Sequence, residues 1–333
     1  MRLGAELAVS EVNERGGVRG HRLELLSYDD RGQPATAVQM ALQFRDNDAV
    51  LAVVGHAQSA TTIAAAPVYN SGDNPIVAVS PSASSIDLGR AGPNVFRVCP
   101  DDVAHAEALA EYARMQLGIR RAATLYHNDR DSRTSAVAFR RAFTERGGTL
   151  LAEDPFSLAL PSFEPYLARA TRRGRLDALL IVGGGESLEP ILAALDTIGS
   201  NSIIMSNIDL LRYAQTVGSD LEGALLSAAY LSGQGGSANE AFVAAYLRAH
   251  GGQHPDHTAA GSYDIVHLIA TAIENQGPTR AGVRSYLSGV GTRLEPFEGA
   301  TGTIAFDENG NLQRTSVEIG FVQDGAVVPT SER

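Results

Sequence analysis

The stretch LAVVGHAQSATTIAAAP, residues 51–67, decides the fold. Its front belongs to the run AVLAVVG (49–55), continuously apolar rather than alternating. That is the pattern of a parallel strand covered on both faces. From Ser59 onward the residues become small and helix-compatible, and residues 59–70 read as a helix. Between the two lies Gly55-His56-Ala57-Gln58-Ser59, a polar turn that sets a hydroxyl at the mouth of a helix. No acid adjoins His56 in sequence to orient it as a base, so it reads as a loop histidine and Ser59 does not read as a nucleophile. In parallel sheets such turns lie outside the carboxyl ends of the strands, where ligands collect.

The same unit recurs outward from this stretch. Helices are expected over 3–15, 34–46, 104–117, 133–148, 163–174, 187–199 and 259–277, and strands over 21–30, 75–80, 121–127, 149–156, 176–184 and 202–207. Strands alternating with helices specify a parallel α/β sheet with right-handed crossovers. Hairpins are expected at 302–312 around Asn309-Gly310 and at 316–328 around Asp324-Gly325. Two sets of α/β units without a low-complexity linker, in a chain of 333 residues, suggest two lobes joined by crossing segments.

Composition excludes several functions. The net charge is −11, which repels nucleic-acid phosphates, and every basic side chain other than histidine is arginine. The single cysteine, Cys99, can form neither an internal disulfide nor a multi-thiolate metal site. VGGGES (182–187) departs from a dinucleotide fingerprint after its first glycines, and Gly-x-Ser-x-Gly does not occur. His250, His254 and His257 fall in a Gly- and Pro-broken stretch that reads as a solvated loop rather than a metal site. No cofactor, no metal and no enzymatic activity are expected. No apolar run is long enough to span a membrane, and MRLGAELAVSEVNERGG lacks the basic and apolar regions of a signal peptide.

The turns after the other strands carry the remaining candidates. Pro81-Ser82-Ala83-Ser84-Ser85 follows strand 75–80 and, with Gln58 and Ser59, offers hydroxyls and peptide N–H groups to an anion. The competing reading is that Ser59 and Ser84 only cap helices. Farther on, Asn128-Asp129-Arg130-Asp131, Gly183-Gly184-Gly185-Glu186 and Asn207-Ile208-Asp209 follow three strands. Their carboxylates could meet an ammonium or merely solvate loops.

At this point the residues resemble a family. LAVSEVNERGGVRGHRLELLSYDDRGQPATAV (7–38), VGHAQSATTIAAAPV (54–68), PIVAVSPSASSIDL (75–88), NVFRVCPDD (94–102), GSYDIVHLIATAIENQG (261–277) and EGATGTIAFDENGN (298–311) are similar, in order, to the type I periplasmic solute-binding proteins. The closest group is the Leu/Ile/Val-binding type of ABC importers. The resemblance implies two doubly wound α/β lobes, 1–101 with 231–306 and 102–230 with 307–333, joined by a three-segment hinge that closes on a solute. It implies that Ser59 and the backbone of Ser82, Ala83 and Ser84 hold an α-carboxylate, and that Asp209 or Asp131 meets the amine. Asp131-Ser132 and Gly184-Gly185 stand where the family tends to carry aromatics, which leaves room for a polar or cationic amino acid or an amide.

The implied partners are that small solute and an ABC membrane permease, with the chain itself a monomer or weak dimer. A sensor domain without transport is the alternative. The family's first strand is absent ahead of Met1, as is any signal peptide. A misassigned start or a clipped sequence is preferred over a natural non-exported form, because loss of a central strand exposes its neighbours' edges. The full-length form is expected in the periplasm or on the cell surface.

Overall fold

The computed structural model describes residues 1–158, 160, 162–183, 185–233 and 236–330. The chain divides into two compact units, Met1–Asp101 with Ala229–Ser316 and Asp102–Ala228 with Val317–Arg333, and passes between them three times. It opens with α1 (Arg2–Glu14), α2 (Pro34–Arg45), β1 (Ala52–Val54), α3 (Ser59–Tyr69), β2 (Val77–Ser80) and β3 (Val95–Arg97). The second unit follows with α4 (Asp102–Met115), β4 (Arg121–His127), α5 (Arg130–Glu145), β5 (Thr149–Phe156), α6 (Glu164–Arg172), β6 (Ala178–Val182), α7 (Leu188–Thr197), β7 (Ile203–Asn207), α8 (Ile208–Val217) and β8 (Leu225–Ala228). The first unit is completed by α9 (Ser237–Ala249), α10 (His257–Gln276), α11 (Arg280–Leu287), β9 (Phe297–Gly299) and β10 (Gly302–Ile304), and the second by β11 (Glu318–Gln323) and β12 (Ala326–Pro329).

The second unit is built on one sheet in the order β12-β11-β8-β7-β6-β4-β5, parallel from β5 to β8 and antiparallel through β11 and β12. The run ALLIV of β6 is apolar throughout because both faces are covered. Leu179 and Ile181 face Phe163, Leu167 and Ile191, whereas Ala178 and Leu180 face Phe139, Phe143 and Met205. The β11–β12 turn forms where expected: Asp324 and Gly325 both have positive φ, 51° and 74°, which a two-residue hairpin turn requires.

The first unit has a parallel sheet in the order β1-β2-β3. Val77 and Val79 pack toward Ile265 and Leu268 of α10, and Ala78 packs with Ala37, Ala41 and Ala65 of α2 and α3. Pro34 starts α2 at a position where its missing N–H costs nothing. Arg280, buried at the start of α11, donates to five carbonyls: Val50, Arg45, Asn74, Phe44 and Asn47, at 2.7–3.0 Å.

Three expectations are corrected. Residues 21–30 do not form a ladder. Leu23 is held by the Asn13 side chain at 2.7 and 2.9 Å, and no backbone ladder bond involves 24–28 among the described residues. The chain does turn back at Asn309-Gly310, through an antiparallel Phe306–Leu312 bridge and the bonds from Asp307 N to the Asn311 carbonyl and Gln313 N to the Ala305 carbonyl, both 2.8 Å, but the strand 302–304 pairs with β9 instead, turning at Ala300-Thr301. Finally, 307–316 belongs to the first unit, not the second. Gly310 explains this: its carbonyl accepts from Arg97 N at 3.0 Å, and a side chain on it would meet Val95 O at 2.4 Å, so the loop lies flat on β3.

Asp264 of α10 explains the hairpin position. Its carboxylate accepts from Ala300 N (2.7 Å), Thr301 N (2.8 Å) and Thr301 Oγ1 (2.6 Å), and only glycine fits at 299, where a Cβ would stand 2.5 Å from Asp264 Oδ2. Burial raises the Asp264 pKa from 3.8 to about 6, outweighing the three donors that pull it down. A raised folded pKa means that the fold binds a proton which the unfolded chain releases. This group's contribution is therefore complete below pH 3.8 and lost as pH rises through about 6. In urea unfolding, the stability of the wild type relative to Asp264→Asn is expected to be greater at pH 4 than at pH 7.5, by up to about 3 kcal/mol. A pH-independent difference would contradict this assignment.

Candidate functional site

The carboxyl ends of β1 and β2 carry the two serine-bearing turns, and three serines stitch these together. Ser80, the buried last residue of β2, donates its hydroxyl to the His56 carbonyl (2.6 Å) and accepts from Ala83 N (2.9 Å) and Ser82 N (3.3 Å). Ser82 Oγ donates to the Ala57 carbonyl at 2.8 Å. Ser59 Oγ accepts from Ser85 N at 3.1 Å and so keeps its own proton to donate. Behind the second turn, the buried Arg97 of β3 donates to the carbonyls of Ser84 (3.1 Å) and Ser85 (2.9 Å) and to Asp101 Oδ2 (3.4 Å). With those carbonyls drawn back, the Ser84 N–H has no partner among the described residues.

Serine roles differ from the capping reading. Ser59 is the first residue of α3; the cap position is Gln58, whose side chain makes no capping bond. The first peptide N–H groups of α3 are thus left for an external acceptor. Gln58 is exposed, with its amide against Gly32. The serine that does cap is Ser85, accepting from Asp87 N ahead of the short 3-10 turn at Ile86–Arg90. Ser82 and Ala83 contribute mainly to the stitching, since both their N–H groups are engaged with Ser80 Oγ.

His56 is not the unoriented loop histidine expected from sequence. Its Nδ1 lies 2.6 Å from Asp30 Oδ2 and its Nε2 2.8 Å from the Tyr69 hydroxyl, with the imidazole buried. Asp30 ends the extended segment 22–30, distant in sequence, and for that reason it was missed. Burial, with Asp30 nearby, pushes the Tyr69 hydroxyl pKa far above its ordinary range, so Tyr69 stays protonated. Both ring nitrogens are thereby occupied, and Ser59 Oγ is bonded to Ser85 N, so Ser59 and His56 do not form a nucleophile–base pair. Arg97 was also missed, although one charge inside the apolar run NVFRVC is a legible sign of a buried, fully bonded cation.

In the second unit, β4, β6 and β7 are neighbours, which brings the turns 128–131 and 207–209 and residues 183 and 185–187 to one end of one sheet. Asp131 lies half-buried in the first turn of α5, with Ser135 Oγ on its carbonyl at 3.2 Å. Asp209 is exposed in the first turn of α8. Gly184 lies outside the described residues. Asp129, in the turn named from sequence, is the cap of α5 and binds His127 Nδ1 at 2.6 Å. Burial raises its pKa, but Ser132 and His127 together hold it below the usual carboxylate value. Next to the glycines, Tyr213 of α8 presses its ring on Gly185, where a Cβ would meet it at 2.9 Å. An aromatic therefore stands at this turn although none occurs in its own sequence. Among the described residues, no three His, Cys, Asp or Glu side chains come together as a metal set, and no helix is long and apolar enough to cross a membrane.

Each α/β unit thus carries polar turns at the carboxyl ends of its strands, donor-lined in the first unit and acid-bearing in the second. A family model described as periplasmic binding protein matches residues 1–326, and the chain belongs to that family. It is 27% identical to the Leu/Ile/Val-binding protein homolog 3 of Brucella melitensis, over 98% of this chain and 87% of that one. An ABC transporter substrate-binding protein of Desulfitobacterium hafniense, solved in complex with Leu, is 29% identical with a TM-score of 0.87, covering 98% and 94% of the two chains. A leucine-binding protein of Thermotoga maritima is 26% identical with a TM-score of 0.83, covering 98% and 91%. As in these relatives, the architecture is the α/β periplasmic-binding type.

Proposed function

We propose that this chain captures a small amino acid or amino-acid-like solute and delivers it to an ABC-type membrane permease, acting as an exported protein. The carboxylate is held by the Ser59 hydroxyl, the Ser84 N–H and the open start of α3. The ammonium is met by an acid of the second unit, Asp131 or Asp209. The observation that carries this reading is the stitched pair of turns: Arg97 and Ser80 tie back the groups that would repel an anion and leave donors facing out. The amino-acid ligands named for the relatives from Brucella, Desulfitobacterium and Thermotoga support the same solute class.

A thermal-shift screen over amino acids, their amides and small carboxylates tests the reading, with stabilisation by at least one zwitterion expected. For the best of these, Ser59→Ala is expected to weaken binding about tenfold, the worth of one hydrogen bond to a charged group, with an unchanged circular dichroism spectrum. Equal affinity of Ser59→Ala and wild type in calorimetric titration would remove Ser59 from the site.

A further inference from the structure

The amino end of the second unit's sheet carries a pocket that the solute site does not use. Its volume is about 530 Å³, and it is lined by Arg114, Arg120, Arg121, Gly147 and Thr149. Arg121 and Thr149 are the first residues of β4 and β5 and stand opposite each other in the parallel ladder. Arg114 lies in the last turn of α4, and Gly147 follows α5 with a positive φ of 79°. The bare Gly147 leaves room beside Arg114: a Cβ there would stand 3.7 Å from its Nη2. The acid-bearing turn 128–131 leaves the other end of β4, about 20 Å away at the rise of a seven-residue strand.

In a chain of net charge −11, this pocket is short of acids. Asp177 accepts from Arg121 N at 3.0 Å and lies 3.5 Å from Arg121 Nη2, but it is shared with Arg175, also 3.5 Å away. The Arg114 and Arg120 side chains make no hydrogen bond or ion pair among the described residues, and Arg114 Nε is buried. Other arginines of this unit show what a purely structural role looks like. Arg146 donates to the Ala142 carbonyl at 3.0 Å and to Glu111 at 2.7 Å, and Arg173 donates to the Leu151 carbonyl at 2.9 Å. The carboxyl end of α4 favours a positive charge at Arg114 through the helix dipole, yet it leaves the buried Nε without an acceptor. A buried donor in that state is costly unless something meets it. The Thr149 hydroxyl is a further donor that bonds nothing among the described residues.

Guanidinium forks match oxyanions, because each presents paired N–H groups to two oxygens at once. A carboxylate has only two oxygens to offer, whereas the guanidiniums and hydroxyl that line this pocket suit the larger oxygen set of phosphate. We propose that the pocket is an oxyanion site that takes a phosphate group, held by Arg114 and Arg120, with Arg121 and the Thr149 hydroxyl completing the donors. Inorganic phosphate and the headgroup of an anionic lipid carry this same chemistry. The inference does not rest on the solute-binding reading.

The test titrates inorganic phosphate into the full chain by calorimetry, at about 50 mM sodium chloride so that charges at the surface are not screened away. Wild type is expected to bind with a Kd of about 1 mM or tighter. Arg114→Gln and Arg120→Gln are each expected to weaken binding about fivefold, the upper worth of an exposed charge pair. Arg120 is exposed, so Arg120→Gln keeps the fold, which a circular dichroism spectrum checks. Sedimentation with vesicles of phosphatidylglycerol in phosphatidylcholine, beside vesicles of phosphatidylcholine alone, separates the two sources. Pelleting of wild type with the anionic vesicles, lost in both variants, assigns the lipid headgroup. Phosphate binding without pelleting assigns the free anion. Equal phosphate affinity and equal pelleting in wild type and both variants would overturn the proposal, as would a wild type that neither binds phosphate nor pellets.

Discussion

Replacement of Arg280 by alanine is expected to lower the unfolding temperature by about 10 °C, the largest stability effect of any single side chain considered. Arg280 is 3% exposed, and its guanidinium bonds five carbonyls from three separate places: the end of α2, the entry to β1 and the approach to β2. Burial pushes its pKa down, and Asp48 and Asp46 push it up, so the charge is retained on the strength of its partners. Truncation leaves these carbonyls without a donor where water reaches them poorly. Unsatisfied groups of this kind cost on the order of 1–3 kcal/mol each, and partial relaxation makes about 4 kcal/mol a sensible total. For a body of this size that corresponds to about 10 °C in Tm. Arg280→Lys is expected to restore less than half, since one ammonium with three donors cannot span a five-donor fork. Calorimetry on both variants checks this, and a Tm within 2 °C of wild type for Arg280→Ala would show that the loops rearrange at no cost.

Arg97→Leu is expected to abolish measurable solute binding, with a loss of at least about 100-fold in affinity, or about 3 kcal/mol. Its side chain touches the turn from behind rather than from the side of the donors. Without it the carbonyls of Ser84 and Ser85 lose their donor and can rotate outward, which places negative dipole ends where an anion is to be held. Arg97→Lys retains the charge but not the planar fork and is expected to fall between the two. Calorimetric titration with the best zwitterion of the thermal-shift screen, together with a circular dichroism spectrum like that of wild type, separates lost binding from lost fold. Wild-type affinity in Arg97→Leu would mean that the turn needs no support from β3.

Much of the architecture is legible in local pattern. A continuous apolar run such as ALLIV is a strand buried on both faces, and Asp324-Gly325 announces its own hairpin. Expectation fails where a local signal competes with a distant partner. Asn309-Gly310 turns the chain back only as far as the Phe306–Leu312 bridge, while the strand before it pairs in an earlier hairpin, where Asp264, remote in sequence, captures the amides of Ala300 and Thr301. Similarly, 21–30 has the composition of a strand, but strand character is realised only through a neighbour in ladder register, and the described residues supply none.

The candidate site divides along the same line. The sequence by itself determined which residue types stand at the strand-to-helix turns, Gln58, Ser59, Ser82, Ala83 and Ser84 in one unit and Asp131 and Asp209 in the other, because strand and helix periods mark where a turn must fall. Only the tertiary structure decided what each does. Ser82 and Ala83 are spent on stitching, Ser59 keeps a proton to give, His56 is clamped between Asp30 and Tyr69, and Arg97 turns the carbonyls away. The physical reason is that a hydrogen bond is specified by position in space to within tenths of an ångström, whereas periodicity specifies only direction along one element. Pairings between elements thus stay hidden until the sheet has set their registers.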